Sequence, residues 1–454
     1  MKQDKTDVRP IFQGLTSVIS LINCQRQDYN TQNAKIASIT EKTLIVGIDV
    51  GSETHYARAF DWRNYEYSKK PLEFSNTEAG FLTLKAWVED IAEKHGKTAV
   101  IPGMEPTGHY WFALGKFLQD SGMKPVHVNP HHVKKSKELD DNNPNKNDRK
   151  DPKTIAALVN EGRFSYPYIP AGIYAEIRSL SNLRFQTQEE LTRIKNRTAR
   201  WFSIYFPEYK NVYKDLKAVS GRMVLKAAPL PEDIIKLGAE GVNRIWRDAK
   251  LRGAGMKRAK TLVSAAEHSI GSKEASEAAR IELKNLLNDM DVYTARLEEL
   301  IRSIEEKLKE IPYIDKLMAI QGIGLVTVSG FIAEVGDIGR FDNPKQLQKL
   351  AGYAIVANES GKHNGESRIS YRGRKRLRYV LYEAAISLIG KNAEFREIHE
   401  YYRSRKENPL KKMQSVVAIA CKVIRVFYAI LTKGVDYDAK KLMGDIRRPQ
   451  IQAG

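Results

Sequence analysis

The hydrophobic positions change their spacing sharply after residue 42. Leu44-Ile45-Val46-Gly47-Ile48-Asp49-Val50-Gly51 is an apolar run that closes on a glycine-bracketed aspartate, the pattern of a buried strand with an acid at its exit. His55–Asp61 and Pro71–Ser75 predict two more strands in a meander. Thr77–His95 has a helical period, with Phe81, Leu82, Leu84, Trp87, Val88 and Ile91 on one face. Thr98–Met104 predicts another buried strand, ending at Glu105; Gly108–Ser121 predicts a helix and Pro125–Asn129 a strand. Strands followed by alternating strand and helix predict an α/β or α+β domain around a mixed sheet.

Beyond this region the period becomes helical. His131–Lys153 is polar and reads as a mobile loop opening into a helix near Asp148. Ala171–Phe206 predicts one long helix stopped by Pro207, and 208–275 gives no clear period. Leu283, Leu286, Met290, Tyr293, Leu297, Leu300, Ile304 and Ile311 keep a/d spacing over about four heptads, which suits either a coiled coil or a helix lying on its own core. The remainder is helical apart from a glycine-rich basic loop at 358–374. The organisation expected is a polar extension over 1–42 with one short helix at Ile11–Ile22, a sheet domain over 43–205, a helical segment with a possible coiled coil over 206–311, and an all-α C-terminal domain over 312–454.

Charge narrows the function. Lys and Arg number 74 against 55 Asp and Glu, a net +19 over 454 residues, which calls for a polyanionic partner such as nucleic acid. Cys24 and Cys421 are too few for a disulfide framework and read as free thiols in a reducing compartment. The charged N-terminus has no signal-peptide pattern, and the longest apolar stretch, Val416–Leu431, is interrupted by Lys422 and Arg425 and reads as a core helix. The expected location is therefore cytoplasmic, with no membrane partner.

Two groups of residues carry chemistry. Asp49 and Glu105 stand at the exits of two strands that one sheet would bring side by side, and Asp148 and Asp151 are at i, i+3 on one helix face. Taken singly, Asp49 could be a turn residue and Asp148 a helix cap. Together, four converging carboxylates need a divalent cation, and Mg²⁺ matches an all-oxygen set that acts on phosphates. Gly47 through Ser52 also resembles the first phosphate loop of actin-like ATPases. Their second glycine hairpin has only Asp337-Ile338-Gly339-Arg340 as its counterpart, which lacks the second glycine.

The second group lies in the last third. Leu317 through Thr327 reads as a helix-hairpin-helix in which Gly322 and Gly324 free backbone N–H groups for a phosphate oxygen; a plain helical corner is the alternative. Residues 361–379 hold seven Lys or Arg against Glu366 alone. Lys362, Arg368, Arg372, Arg374, Lys375, Arg376 and Arg378 are candidate phosphate contacts. Ser360, before Gly361 in this loop, is either a turn cap or a nucleophile toward a phosphodiester.

The order Gly-Ile-Asp49, Met-Glu105-Pro-Thr-Gly, Asn-Asp148-x-x-Asp151, followed by Gly322-Ile323-Gly324, Ala351-Gly352-Tyr353, Ser360-Gly361 and Gly373 through Arg378, resembles the DEDD-type insertion-sequence transposases. The resemblance covers roughly 43–205 and 312–392. It implies an RNase H-like (RuvC-like) first domain, Mg²⁺ held by Asp49, Glu105, Asp148 and Asp151, and Ser360 as a nucleophile that forms a covalent phosphoserine link to DNA. It further implies donor and target DNA as partners, guidance by a structured bridge RNA, and assembly as dimers and tetramers. Relatives often carry Lys where this chain has Tyr371. A RuvC-like junction nuclease using water, and a non-catalytic nucleic-acid-binding protein, are the rival readings. Ser367, Ser370, Tyr353 and Tyr371 are rival nucleophiles.

Overall fold

The computed structural model describes residues 32–140, 151–214, 218–356, 359–360, 363–364, 368–444 and 446. Two compact units divide at Ile169 and Pro170. The expected helix at Ile11–Ile22 lies outside the described residues.

In the first unit a short helix at 32–37 (α1) precedes the sheet strands β1 (Thr43–Val50), β2 (Thr54–Phe60), β3 (Leu72–Ser75), β4 (Ala99–Met104), β5 (Val126–Val128) and β6 (Phe164–Ser165). They form one mixed sheet in the order β3-β2-β1-β4-β5-β6. β1 runs antiparallel to β2 and parallel to β4, with Ile48 opposite Met104. The helices are α2 (Glu78–Lys94), α3 (Trp111–Asp120), α4 (Pro130–Asp140) and α5 (Asp151–Asn160). Alternation along β1 sends Leu44, Val46, Ile48 and Val50 into a core with α2 and α3, and Ile45 into a second core with α5. The sheet is thus covered on both faces.

The meander, both helices and the strands match the expected pattern. The polar stretch after Asn129 differs, because its first part is α4 rather than a loop. Pro130 presets the first turn, the Asn129 side chain accepts the His131 N–H (2.9 Å), and Val133 is buried in the core. Local capping outweighed the low apolar content. α5 begins at Asp151, and Asp148 lies outside the described residues.

The second unit is largely helical. α6 (Gly172–Tyr205) and α11 (Ser276–Leu308) run antiparallel: Trp201, late in α6, donates to the Ala279 carbonyl early in α11 (3.0 Å). Between them, α7 (Tyr209–Val212), α8 (Val219–Ala227), α9 (Pro231–Asp248) and α10 (Met256–Glu267) enclose a core with Trp201, Phe202, Trp246 and Leu283. The heptad residues Leu283, Leu286, Met290 and Leu297 are buried here, within their own chain. α6, grouped by sequence with the sheet domain, packs its apolar stripe against α11 and α13 in this unit.

The C-terminal part contains α12 (Ile314–Met318), α13 (Leu325–Val335), α14 (Pro344–Ala351), α15 (Lys375–Lys391), α16 (Ala393–Ser404), α17 (Lys412–Lys433) and α18 (Ala439–Met443). Two small ribbons pair β7 (Ile355–Val356) with β10 (Arg368–Ile369) and β8 (Glu359–Ser360) with β9 (His363–Asn364). By length and composition α17 could cross a membrane, but Val416, Ile419, Val423, Ile424 and Phe427 are buried in the core, as the charge-interrupted sequence predicts.

Candidate active site

β1 and β4 end side by side, and each is followed or closed by an acid on the same face. Gly47 and Asp49 point opposite to Ile48, hence toward α5, and Gly103 and Glu105 do the same on β4. The two glycines set how close α5 comes. A Cβ on Gly47 would stand 1.8 Å from the Pro152 carbonyl oxygen, and one on Gly103 would stand 2.5 Å from a Val159 methyl. Pro152 is the second residue of α5, so its first residue, Asp151, is set down beside the strand ends that carry Asp49 and Glu105. Asp49 and Glu105 therefore stand at neighbouring strand ends, the Asp151 charge at the start of α5 acts on Glu105, and all three are half-buried.

The site is electrostatically tense. Burial lifts the Glu105 carboxyl above the usual carboxylate range, the Lys137 ammonium pulls it back, and the Asp151 charge raises it further. Lys137 projects from α4 and forms an ion pair with Asp151. This lysine was not singled out in the sequence, nor were Gly47 and Gly103 as packing residues. A glycine inside a strand does signal a close backbone approach, so the second omission was avoidable. Among the described residues no three His, Cys, Asp or Glu side chains are grouped to hold a metal ion. The donor chemistry still suits a hard divalent cation: the acids are half-buried and oxygen-only, and Glu105 and Asp151 repel each other beside the Lys137 ammonium.

The candidate residues of the second unit form a separate set. Ser360 ends β8, paired with His363 across a two-residue ribbon. Two rival hydroxyls are engaged: buried Tyr353 donates to the Arg378 carbonyl (2.9 Å) and its phenol is pushed above its usual range by burial, and Ser370 donates to the Gly352 carbonyl (3.3 Å). Tyr371 is exposed, and Ser367 and Lys362 lie outside the described residues.

α12 and α13 flank the glycine turn. Gly322 adopts φ +99° and its carbonyl accepts the Ser387 hydroxyl (2.7 Å), while Gly324 starts α13 with open space where a Cβ would stand. Of the basic residues, Arg368, Arg372 and Lys375 face solvent. Arg374 donates to the Glu334 carbonyl (2.5 Å), Arg376 bonds the Asn182 side chain, and Arg378 donates to the Ala351 and Tyr371 carbonyls (3.0 and 3.2 Å). These three arginines brace the start of α15 as well as carrying charge.

Sequence comparison fits this geometry. Residues 46–207 match the DEDD transposase family of the IS110 type, and residues 314–403 match the transposase IS116/IS110/IS902 family. The uncharacterized 44.8 kDa protein of insertion element IS116 from Streptomyces clavuligerus is 25% identical, over 85% of this chain and 94% of its own length. The uncharacterized 42 kDa protein of insertion element IS900 from Mycobacterium paratuberculosis is 24% identical over the same shares. The transposase of insertion sequence IS1111A from Coxiella burnetii is 27% identical over 36% of this chain and 46% of its own length. With its acids at the strand exits of a mixed sheet and a largely helical second half, the chain belongs to the IS110/IS116/IS900 family of insertion-sequence transposases, phosphoryl-transfer enzymes with an RNase H-like DEDD domain.

Proposed function

We propose that this transposase cuts and rejoins the DNA of its insertion sequence through a covalent link to Ser360, with Mg²⁺ at the acidic site. The placement of Asp49 and Glu105 at adjoining strand ends, with the Asp151 charge acting on Glu105 from the start of α5, supports the reading. Those three and Asp148 would hold the cation, which supplies neutralising charge to the phosphate and lowers the barrier to deprotonating a hydroxyl. The Ser360 oxygen attacks the phosphorus and gives its proton to solvent or a carboxylate, a P–O ester bond to one strand breaks, and the departing strand oxygen takes a proton from solvent or that same carboxylic acid to leave as a hydroxyl. The phosphoserine ester keeps the phosphodiester's energy, so a new strand hydroxyl reverses the step without ATP. A junction nuclease using water would discard that energy and have no use for the serine.

The net charge of +19 supports a nucleic-acid partner. The start of α13 after Gly324, which has no side-chain cap among the described residues, and the outward Arg368, Arg372 and Lys375 are the proposed phosphate contacts, with the braced Arg374, Arg376 and Arg378 beside them in sequence. A structured bridge RNA that selects donor and target, and assembly as dimers and tetramers, complete the reading; RNA co-purified with the protein and sequenced would expose guide and target. The acidic site is tested by Asp49→Asn and Asp151→Asn, each folded. Both should abolish Mg²⁺-dependent strand cleavage, and normal cleavage by either would overturn the assignment.

A further inference from the structure

Lys137 reaches the acidic site from a different helix than the acid it meets. It belongs to α4, Asp151 opens α5, and the ammonium forms an ion pair with the Asp151 carboxylate. The pair is lopsided in its exposure: the Asp151 side chain is 13% exposed and that of Lys137 38%. A second lysine of α4 shows the contrast. Lys135 pairs with Glu138 of the same helix at 2.9 Å, and those side chains are 63% and 49% exposed, an ordinary solvated pair that contributes little. Lys137 instead meets a carboxylate drawn out of water. Its charge also bears on Glu105, whose carboxyl is raised by burial and by the Asp151 charge. Taking the ammonium away would enlarge the repulsion between these two acids in a place where water screens it poorly.

The two partners differ in freedom. Asp151 is fixed by the seating of α5, where the Pro152 carbonyl lies against the bare Gly47 position of β1. Lys137 carries its charge on a flexible four-carbon stem from a separate helix. A hard divalent cation binds carboxylate oxygens directly and repels an ammonium held on the same carboxylate. One Asp151 carboxylate therefore does not serve both cations, and the lysine is the partner that can leave. We propose that Lys137 is an exchangeable counter-ion of the acidic site: it neutralises Asp151 while the site holds no metal, and it is displaced when a divalent cation takes that carboxylate. Lys137 is thus a positioning residue. It holds the start of α5 before the cation arrives, and by competing for Asp151 it sets the concentration at which the site fills. The inference rests on the reading of the acidic site as a Mg²⁺ site and adds to it a residue that stands outside the oxygen ligand set.

The test uses the full chain without nucleic acid. Mn²⁺, followed by electron paramagnetic resonance and competed with Mg²⁺, reports metal affinity directly. Lys137→Gln should bind Mn²⁺ roughly tenfold more tightly than the parent, since a competing charge is gone. Its melting temperature should fall below the parent's in EDTA and return to the parent's in saturating Mg²⁺. Lys137→Arg keeps the charge and should bind Mn²⁺ no more tightly than the parent. A residue that only staples α4 to α5 would weaken metal binding on removal, not tighten it. A second readout needs no variant: acetylation of the parent by acetic anhydride, read by peptide mass spectrometry. Mg²⁺ should raise the labelling of Lys137 severalfold and leave that of Lys135 unchanged. A folded Lys137→Gln protein with unchanged or weaker Mn²⁺ affinity overturns the exchange, as does Lys137 labelling that Mg²⁺ leaves the same or lowers. Should the variant fail to fold, the labelling decides. If Asp49→Asn removes Mn²⁺ binding while neither Lys137 readout moves, the exchange fails and the cation site stands. If the parent binds no Mn²⁺, the cation reading fails and the exchange with it.

Discussion

Gly47 sets where the start of α5 is placed, because its first turn rests on the β1 position that has no side chain. Gly47→Ala places a methyl 1.8 Å from the Pro152 carbonyl, so backbone must move. We expect a loss of about 1–3 kcal/mol in a denaturant melt, with cleavage lost as Asp151 shifts; a variant as stable and active as the parent would contradict the packing. Glu105 makes the opposite prediction. Its folded pKa is raised, so its favourable contribution is complete below the unfolded pKa and disappears as pH rises through the folded value. At neutral pH its charge is a burden, and Glu105→Gln should keep or raise the melting temperature while cleavage is abolished. A clear drop in stability would show that the carboxylate is structural. At this scale the sequence is a good guide to chemistry and a poor one to proximity. Asp49 and Glu105 were legible because each follows a buried apolar run. Lys137 was not, since nothing in a run of surface-like lysines says which one turns inward to Asp151.

Long helices are defined by what covers their apolar stripe. In α11 the covering comes from α6 and the helices between them, so Met290 and Leu297 are core residues, 4% and 8% exposed. Met290→Glu should therefore destabilise the fold by roughly 2–5 kcal/mol, since it empties a packed site and buries a charge. Sedimentation would show the remaining folded protein at the parent's size. A stable variant that shifts to a smaller species would instead mark an intermolecular seam. The heptad spacing could not choose between these outcomes, because an intramolecular helix pair and a coiled coil bury the same positions. α4 was not legible for another reason: its sequence is polar, and the start signals are Asn129 and Pro130 rather than a regular apolar period. The start of α15 was legible as a basic helix end. That Arg374, Arg376 and Arg378 reach back to Glu334, Asn182 and the Ala351 carbonyl depends on elements far away in sequence.

Several histidines are kept neutral by the fold. His127 is pushed down to about 4 by burial, with its Nε2 unpartnered among the described residues and its ring edge-on to Trp111 at 4.1 Å. His55 and His399 are lowered by burial as well. A depressed folded pKa means that the unfolded chain takes up protons first, so stability is intact above about 6.5 and is lost as pH falls toward the folded values. Thermal melts should show a steady decline from pH 6.5 to 4, and replacing His127 with a residue that does not titrate should flatten part of it. A flat profile would mean that these rings are hydrated. Over the whole chain, the mixed sheet and the helical second half followed from hydrophobic period, and the family from the order of motifs. The close seating of α5 and the pairing of α6 with α11 required contacts across long separations. The most direct measurement for the whole account is a denaturing gel with end-labelled DNA carrying the element's ends, the protein with its co-purified RNA, and Mg²⁺. The account predicts a label that migrates with the protein, is lost in Ser360→Ala and in Asp49→Asn, and survives in neither; cleavage without any covalent adduct, or an adduct that persists in Ser360→Ala, would contradict it.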